Sequence, residues 1–214
     1  MVLQLGRQNI LPQVKEVPVI AGVNGVDVLR DMKLFLEDCK RSGFSGVHNF
    51  PTVTWFEGEF RKVLEQTGLG YEMEIEMLNS ARHLDMLTIG YAFNAEDTET
   101  LMKKASPDVF VFHAGITRGG STGYDRGSSL ENMSEYSRQH FEIARMIKPE
   151  VILLAHGAAL SSPEDAQYLL NYTGCHGVQL GSSIERMAIE GPLQERAASF
   201  KKSRLGKDFK NKPW

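Results

Sequence analysis

The chain has 214 residues, with 24 Lys and Arg against 27 Asp and Glu and a formal net charge of −3. Its 42% hydrophobic and 24% charged residues are typical of a globular protein and exclude a wholly disordered chain. The charge balance gives no signature for nucleic acid, and no apolar run reaches the roughly 18 residues of a membrane helix. The two cysteines are too few for a disulfide framework, so we expect a cytoplasmic protein with no nucleic-acid or membrane partner.

Short apolar runs recur along the chain, and each is followed by a longer stretch with helical spacing. The runs are continuously apolar rather than alternating, which is typical of strands buried on both faces in a parallel sheet. They begin at Val17, Gly46, Met86, Val109, Val151 and Gly177. This alternation predicts an α/β protein built from βα units.

The segments between these runs carry apolar residues at the spacing of amphipathic helices. The predicted helices and shorter helical stripes lie at 26–42, 60–64, 73–81, 95–105 and 130–147, with a further helix start at 162–165. Two starts carry a recognisable cap. Asn94 precedes two acidic residues, and Ser162 precedes a proline and two acids.

Two architectures fit this alternation. A doubly wound open sheet typically carries a GxGxxG turn after its first strand, and the sequence contains none. A (β/α)8 barrel places functional residues at the ends of several strands, which is the pattern in this chain. Because six strands rather than eight are recognisable, we predict a TIM (β/α)8-type parallel barrel that lacks its first two βα units.

The predicted barrel occupies residues 1–203, and a basic C-terminal tail at 204–214 follows it. For the tail, a solvated terminus is favoured over an arm that binds a polyanion. A barrel without two of its units leaves sheet edges and apolar helix faces uncovered. We therefore expect a homo-oligomer.

Polar side chains follow every predicted strand. They are Asn24, Asn49, Thr52, Tyr91, His113, His156, Ser182 and Ser183. Since the carboxyl ends of parallel strands meet at one rim of a barrel, we expect these residues to converge there. A single one would more often be a hydrogen-bonded structural residue, but together they favour a binding site at this rim.

Two histidines are the candidate acid–base groups. His113 opens the segment HAGITRGGSTG, and His156 opens HGAALSSPEDA. An imidazole is suited to general acid–base catalysis and can also polarise a phosphate or carbonyl oxygen. Each could instead hold its glycine-bearing loop. Neither has the HExxH or HxH spacing of a zinc site.

Two glycine-containing segments are candidate anion sites. Arg118 precedes Gly119 and Gly120, so a guanidinium stands beside open backbone amides. The segment Gly181–Ser183 joins the last strand to a helix, the position at which such barrels bind phosphate. A turn without a ligand in the first segment and a simple N-cap in the second are the alternatives.

Acidic residues give no clear metal site. The candidates for a magnesium ion are Asp27, Glu57, Asp125 and Glu185. They share no close spacing, and most acidic residues on helices lie on a solvated face. No cofactor is evident from the sequence, while Mg²⁺ is compatible with it.

Five longer segments carry a resemblance to a known family. They are SGFSGVHNFPTV, LEQTGLGYEMEIEML, HAGITRGGS, LLAHGAALSSPEDA and GSSIERMAIE, in this order. Together they resemble the phosphoenolpyruvate hydrolase-like TIM-barrel family, which also supplies the C-terminal domain of a plant tobamovirus-resistance protein. This chain departs from the family pattern at Thr54, Arg118 and Ala158. The resemblance implies a TIM barrel related to phosphoenolpyruvate-binding barrels, an oligomeric state and a hydrolase activity.

The resemblance also implies which rim residues form the site. They are Asn49, Pro51, Thr52, His113, Gly119, Gly120, His156, Gly157, Ser182, Ser183, Glu185 and Arg186. We expect a small phosphorylated or carboxylated acid as the substrate. The two serines would hold its phosphoryl group, Arg118 or Arg186 its carboxylate, and one of the histidines would be the acid–base group, while Glu185 would hold Mg²⁺ or orient water. The alternatives are a protein-interaction module without catalysis and a carbon–carbon lyase acting on a 2-oxo acid.

Overall fold

One parallel sheet forms the centre of the computed structural model, which describes residues 1–120 and 128–202. The strands are β1 (Ile20–Gly22), β2 (Gly46–His48), β3 (Leu87–Ala92), β4 (Val109–His113), β5 (Ile152–His156) and β6 (Gly177–Gln179). Each strand pairs with the next along the chain, and all five pairings are parallel. Within the described residues β1 and β6 do not pair, so the sheet is a curled half-barrel. The predicted TIM-type α/β fold with six strands is confirmed.

Helices connect the strands. They are α1 (Val2–Leu5), α2 (Met32–Ser42), α3 (Gly58–Gln66), α4 (Tyr71–His83), α5 (Ala95–Lys104), α6 (Leu130–Ile147), α7 (Pro163–Thr173), α8 (Ser182–Glu185) and α9 (Met187–Lys201). A π-helical stretch, Gly6–Ile10, follows α1, and a 3-10 turn, Val53–Trp55, precedes α3. None of the helices in the described residues is long and apolar enough to cross a membrane.

The helix predicted over 26–42 begins only at Met32. The side chain of Asp31 accepts a hydrogen bond from the Leu34 amide at 3.1 Å and caps α2. Before it, Asp27 accepts from the Leu29 amide at 3.0 Å and holds a turn. These short acidic side chains compete with the helix for backbone amides, and Leu29 remains 92% exposed. The helical residues before β1 were not predicted; Val2 and Leu3 pack there against the core.

The two predicted N-caps are confirmed. Asn94 accepts a hydrogen bond from the Asp97 amide at 2.8 Å at the start of α5. Ser162 and Asp165 form a reciprocal capping box at the start of α7. The predicted tail at 204–214 and the magnesium candidate Asp125 lie outside the described residues.

The core lies between the sheet and the helices around it. On β4, Phe110 and Phe112 face outward and meet α6, where Phe110 contacts Phe141 edge-on and Phe112 stacks on His140. The alternate residue Val111 faces the inside of the barrel. Because side chains alternate along a strand, β4 is buried on both faces, as its continuous apolar sequence predicts.

Candidate active site

Alternation along the strands determines which polar groups reach the mouth of the barrel. Val109 and Val111 of β4 belong to a buried cluster inside the barrel, and Leu154 of β5 packs against it. His113 lies two residues beyond Val111, and His156 lies two residues beyond Leu154. Each histidine therefore ends an inward-facing row at the carboxyl edge of the sheet.

The rings of three histidines surround Tyr91 at this edge. The ring centroid of Tyr91 lies 5.2 Å from that of His48, 5.7 Å from that of His113 and 5.8 Å from that of His156. The rings of His113 and His156 are in edge contact, with centroids 4.3 Å apart. The structure thus brings the two predicted histidines into direct contact.

Backbone contacts fix the tautomers of this pair. The Gly115 amide donates to Nδ1 of His113 at 3.1 Å, so that nitrogen carries a lone pair and the ring proton sits on Nε2. Nδ1 of His156 lies 2.8 Å from the carbonyl oxygen of Gln179, to which it must donate. His113 therefore presents a donor at Nε2, and His156 presents an acceptor at Nε2.

Burial keeps these histidines uncharged near neutral pH. Burial, with a smaller contribution from nearby His156, lowers the pKa of His48 to about 4 and the pKa of His113 to about 3. Burial also lowers the pKa of His156, although its bond to the Gln179 carbonyl and the nearby Glu185 carboxylate oppose the shift. A neutral imidazole can donate at one nitrogen and accept at the other, as acid–base chemistry requires.

A cavity of about 600 Å³ opens above these rings, and we call it the rim cavity. Its wall includes His48, Thr52, Trp55, Tyr91, His113, His156, Gln179, Gly181, Ser182 and Glu185. Nδ1 of His48 and Oε1 of Gln179 are buried there, and neither has a hydrogen-bond partner in the part of the chain that the structure describes. Buried polar atoms are normally paired, so these two atoms indicate a place for a ligand or water.

Asn49 lies beneath the rim cavity rather than on its surface. Its Oδ1 accepts from the Tyr91 amide at 2.7 Å, and its Nδ2 donates to Glu74 at 2.6 Å. The other oxygen of Glu74 accepts from the Val53 amide at 2.6 Å. Both side chains are fully buried, so this network holds β3 and the 3-10 turn in place instead of contacting a ligand.

The predicted arginines do not line the rim cavity. Arg186 donates to the carbonyl of Gly119 at 3.0 Å and forms an ion pair with Glu190 at 3.3 Å. Hydrogen bonds from its own backbone amide and from Ser129 lower the pKa of Glu131, with a smaller contribution from the Arg118 guanidinium. Gly120 lies beside the Arg186 guanidinium, so this glycine-rich turn packs against α9.

The last strand end contributes only part of its predicted anion site. Gly181 and Ser182 line the rim cavity, together with Glu185, whereas Ser183 does not. The helix that follows, α8, has four residues, and the chain kinks at Arg186 before α9 begins. Four residues give only a small helix dipole, so the anion would depend on individual amides and hydroxyls.

Thr52 and Gly157 occupy supporting positions. The Thr52 hydroxyl lies 2.9 Å from that of Thr54 at the wall of the rim cavity. Gly157 has φ +86°, and a Cβ there would lie 2.1 Å from the Gly115 carbonyl oxygen. Only glycine fits this close approach, which keeps the His113 and His156 loops together. Asn24 lies at a separate, smaller cavity.

The acidic candidates for magnesium are not brought together. Asp27 pairs with Arg30 at 2.9 Å, and Glu57 and Glu185 line different cavities. Asp125 is outside the described residues. In the part of the chain that the structure describes, no three His, Cys, Asp or Glu side chains are grouped to hold a metal.

Sequence reasoning missed several residues of this site. His48 stands inside the GVHNF run, which was interpreted as a buried strand. The available signal is its position two residues after Gly46. Because side chains alternate along a strand, His48 shares the face of Gly46, which is the face toward the barrel interior. Trp55, whose ring centroid lies 5.4 Å from that of His113, and Glu74 are brought there by long-range packing. No local pattern could have identified them.

Comparison with known proteins agrees with this architecture. The sequence profile of the phosphoenolpyruvate hydrolase-like family matches residues 1–203. Two tomato (Solanum lycopersicum) proteins, the ToMV susceptible protein tm-1(GCR26) and the ToMV resistance protein Tm-1(GCR237), are each 41% identical to this chain over 201 residues. The match covers 94% of this chain and 26% of each tomato protein, so the chain spans about a quarter of their length.

A solved structure shows the same kind of fold. A mutant of FabK from Thermotoga maritima superimposes with a TM-score of 0.52 at 13% identity, covering 86% of this chain and 50% of FabK. At this identity the likeness concerns the barrel fold alone. The family profile covers nearly the whole chain and the tomato proteins match it over almost the same length. This protein belongs to the phosphoenolpyruvate hydrolase-like family.

Proposed function

We propose that this chain uses His113 and His156 for acid–base catalysis on a small phosphorylated or carboxylated acid in the rim cavity. The observation that carries the proposal is the contact between two neutral imidazoles whose Nε2 atoms have opposite roles. Such a pair can stabilise a developing oxyanion with one ring and take up a proton with the other. The family supports phosphoenolpyruvate as the first substrate to test.

Hydrolysis of phosphoenolpyruvate fits these two roles. A water molecule attacks phosphorus and gives its proton to Nε2 of His156, while the bond from phosphorus to the enol oxygen breaks. The Nε2 proton of His113 hydrogen-bonds the enolate oxygen that forms. The enolate then takes the proton from His156 at its methylene carbon, which yields pyruvate and inorganic phosphate. Carbon–carbon cleavage of a 2-oxo acid also forms an enolate, so the same pair would suit a lyase.

The phosphoryl group would be held by neutral donors. Among the described residues that line the rim cavity, Glu185 is the one with a charged side chain, and no arginine or lysine is present. We assign the phosphoryl oxygens to the Ser182 hydroxyl and neighbouring amides, and the orientation of water to Glu185. The described acidic candidates lie apart, and the steps above use His113, His156 and Glu185 without Mg²⁺.

Calorimetry tests substrate binding directly. Phosphoenolpyruvate, oxaloacetate, pyruvate and phosphate are titrated into the folded chain, with and without Mg²⁺. We expect a saturable heat from at least one organic acid and loss of that heat with the Ser182→Ala variant of the rim cavity. Absence of heat from all four compounds in a chain with a native circular dichroism spectrum would exclude the proposal. Product analysis then separates phosphate release from carbon–carbon cleavage.

A second candidate function is a protein-interaction module, which we propose would also form a homo-oligomer. Helix α9 exposes Ile189, Leu193 and Phe200, each at least 60% exposed, and the half-barrel leaves the outer edges of β1 and β6 unpaired among the described residues. Unpaired strand edges and apolar faces favour association. The tomato relatives are named for susceptibility and resistance to ToMV, which is compatible with a binding role. Sedimentation as a monomer at micromolar concentration would argue against it.

A further inference from the structure

A second cavity of about 760 Å³ lies beside the rim cavity, and we call it the α6 cavity. Trp55, His113, Gly115 and Ile116 line both cavities and form the wall between them. The remaining wall includes aromatic residues at the ends of β3 and β4 and residues in the middle of α6. The rim chemistry proposed above uses none of these remaining residues.

Two polar atoms in this wall are buried and lack a partner among the described residues. They are Nε2 of His140 and Oγ of Ser128. His140 is only 7% exposed, and its ring is stacked on Phe112 with centroids 4.1 Å apart. Because buried hydrogen-bonding groups are costly to leave unpaired, a ligand in the α6 cavity that reached these two atoms would be favoured.

The hydrogen bonding of His140 determines what it can bind. Its Nδ1 lies 2.7 Å from the carbonyl oxygen of Tyr136, so Nδ1 carries the proton and donates it. Nε2 is then a lone-pair acceptor. The Ser128 hydroxyl can both donate and accept. A ligand hydroxyl would satisfy Nε2 by donating to it, and a hydroxyl oxygen is also able to accept from Ser128.

The rest of the wall favours a ligand that has an aromatic ring and no charge. Phe93, Phe112 and Trp55 offer ring surfaces. Among the described lining residues, Glu57 is the one with a charged side chain, so none of these residues would neutralise a carboxylate or phosphate. We propose that the α6 cavity binds a small neutral aromatic alcohol, with its hydroxyl at His140 and Ser128 and its ring against these side chains.

A set of three related probes tests this assignment on the full chain. 2-Naphthol carries the hydroxyl, naphthalene lacks it, and naphthalene-2-carboxylate replaces it with a charge. We expect saturable binding of 2-naphthol in a fluorescence titration, at least tenfold tighter than that of either other compound. His140→Phe keeps a ring on Phe112 but removes the acceptor, and Ser128→Ala removes the hydroxyl. Each should weaken 2-naphthol binding about tenfold and leave naphthalene binding unchanged.

His83→Phe is the matched control, because His83 is exposed at the end of α4 and lines neither cavity. It should leave all three affinities unchanged. Absence of saturable 2-naphthol binding overturns the proposal, and so does an unchanged affinity in His140→Phe. If His140→Phe loses its native circular dichroism spectrum, the test rests on Ser128→Ala. An unchanged 2-naphthol affinity in folded Ser128→Ala then overturns the proposal. We expect Ser128→Ala to leave turnover at the rim cavity unchanged. Failure of the α6 cavity proposal can therefore be distinguished from failure of the proposed function.

Discussion

His113 and His156 touch edge to face, yet the backbone places the ring proton on opposite nitrogens of the two side chains. The Gly115 amide donates to one ring, and the Gln179 carbonyl accepts from the other. Burial keeps both rings neutral, so neither has to change its protonation state before a substrate arrives. This division of donor and acceptor is what makes the pair a candidate for catalysis rather than two structural histidines.

The first prediction concerns turnover. His113→Ala and His156→Ala should each reduce turnover of the acid identified by calorimetry by roughly 10²–10⁴-fold, the usual effect of a lost acid–base group. His113→Gln should retain more activity than His113→Ala, because the glutamine amide can donate from a position close to Nε2. The exposed His83→Ala serves as the control. Undiminished phosphate or product release in both alanine variants would remove the catalytic assignment.

Much of this site was predictable from the sequence. His113 and His156 each follow a continuous apolar run, and that pattern alone predicts parallel strands whose carboxyl ends meet. Their tautomers were not predictable, since these depend on the Gly115 amide and the Gln179 carbonyl. The arginine assignments depended on nearness in sequence, whereas in the fold Arg186 pairs with Glu190.

Local patterns were also insufficient for one helix start. Val28 extends the apolar spacing of α2 toward its N-terminus and therefore favoured a longer helix. In the structure the backbone amides there bond to Asp27 and Asp31. The spacing of apolar residues indicates which side chains would share a helix face. It does not show whether short polar side chains compete with the helix for backbone amides.

The second prediction concerns acid stability. In the unfolded chain His48 has its ordinary pKa of 6.5, whereas burial holds it near 4 in the fold. Above pH 6.5 both states are neutral at this residue. As the pH falls toward 4, the unfolded chain takes up a proton that the folded chain does not, so stability is lost. His48→Phe should therefore reduce the loss of unfolding free energy by about 1.4 kcal/mol per pH unit in this range.

Comparing His48→Phe with the wild type isolates this effect from the other groups. Burial raises the pKa of Glu74 to about 7, so on acidification Glu74 takes up a proton in the folded chain before it does so in the unfolded chain. This uptake stabilises the folded chain and opposes the destabilising effect of one histidine. Both chains contain this carboxyl group, and its contribution cancels. Urea unfolding between pH 7.5 and 4.5 gives the two slopes. Equal slopes would show that His48 is protonated in the folded state.

The third prediction concerns the Gly157 approach. An alanine there would combine left-handed backbone strain with a Cβ only 2.1 Å from the Gly115 carbonyl oxygen. Gly68 has a similar φ of +76°, but a Cβ added there would meet no atom within 4 Å, so Gly68→Ala is the control for strain alone. We expect Gly68→Ala to cost about 1–2 kcal/mol and Gly157→Ala clearly more. Because Gly115 holds Nδ1 of His113, Gly157→Ala should also shift the His113 imidazole NMR signals.

The last prediction concerns Glu74, the buried carboxylate beneath the rim cavity. Its two oxygens accept from the Val53 amide and from Nδ2 of Asn49, each at 2.6 Å. Glutamine supplies one acceptor oxygen, so its NH₂ group would have to face one of these donors. Asn49 cannot relieve the conflict by turning over, because its Oδ1 already accepts from the Tyr91 amide at 2.7 Å.

Glu74→Gln should therefore lower the free energy of unfolding by about 1–3 kcal/mol, the cost of leaving a buried hydrogen-bonding group unpaired. The measurement belongs at pH 8, above the pKa of about 7, where the wild-type carboxyl group is ionised. Glu76→Gln on the exposed face of the same helix should change stability by less than about 0.5 kcal/mol. Since the network positions Tyr91 among the three histidines, the Glu74 variant should also lower turnover. Equal stability of the two glutamine variants would show that Asn49 and Val53 find other acceptors.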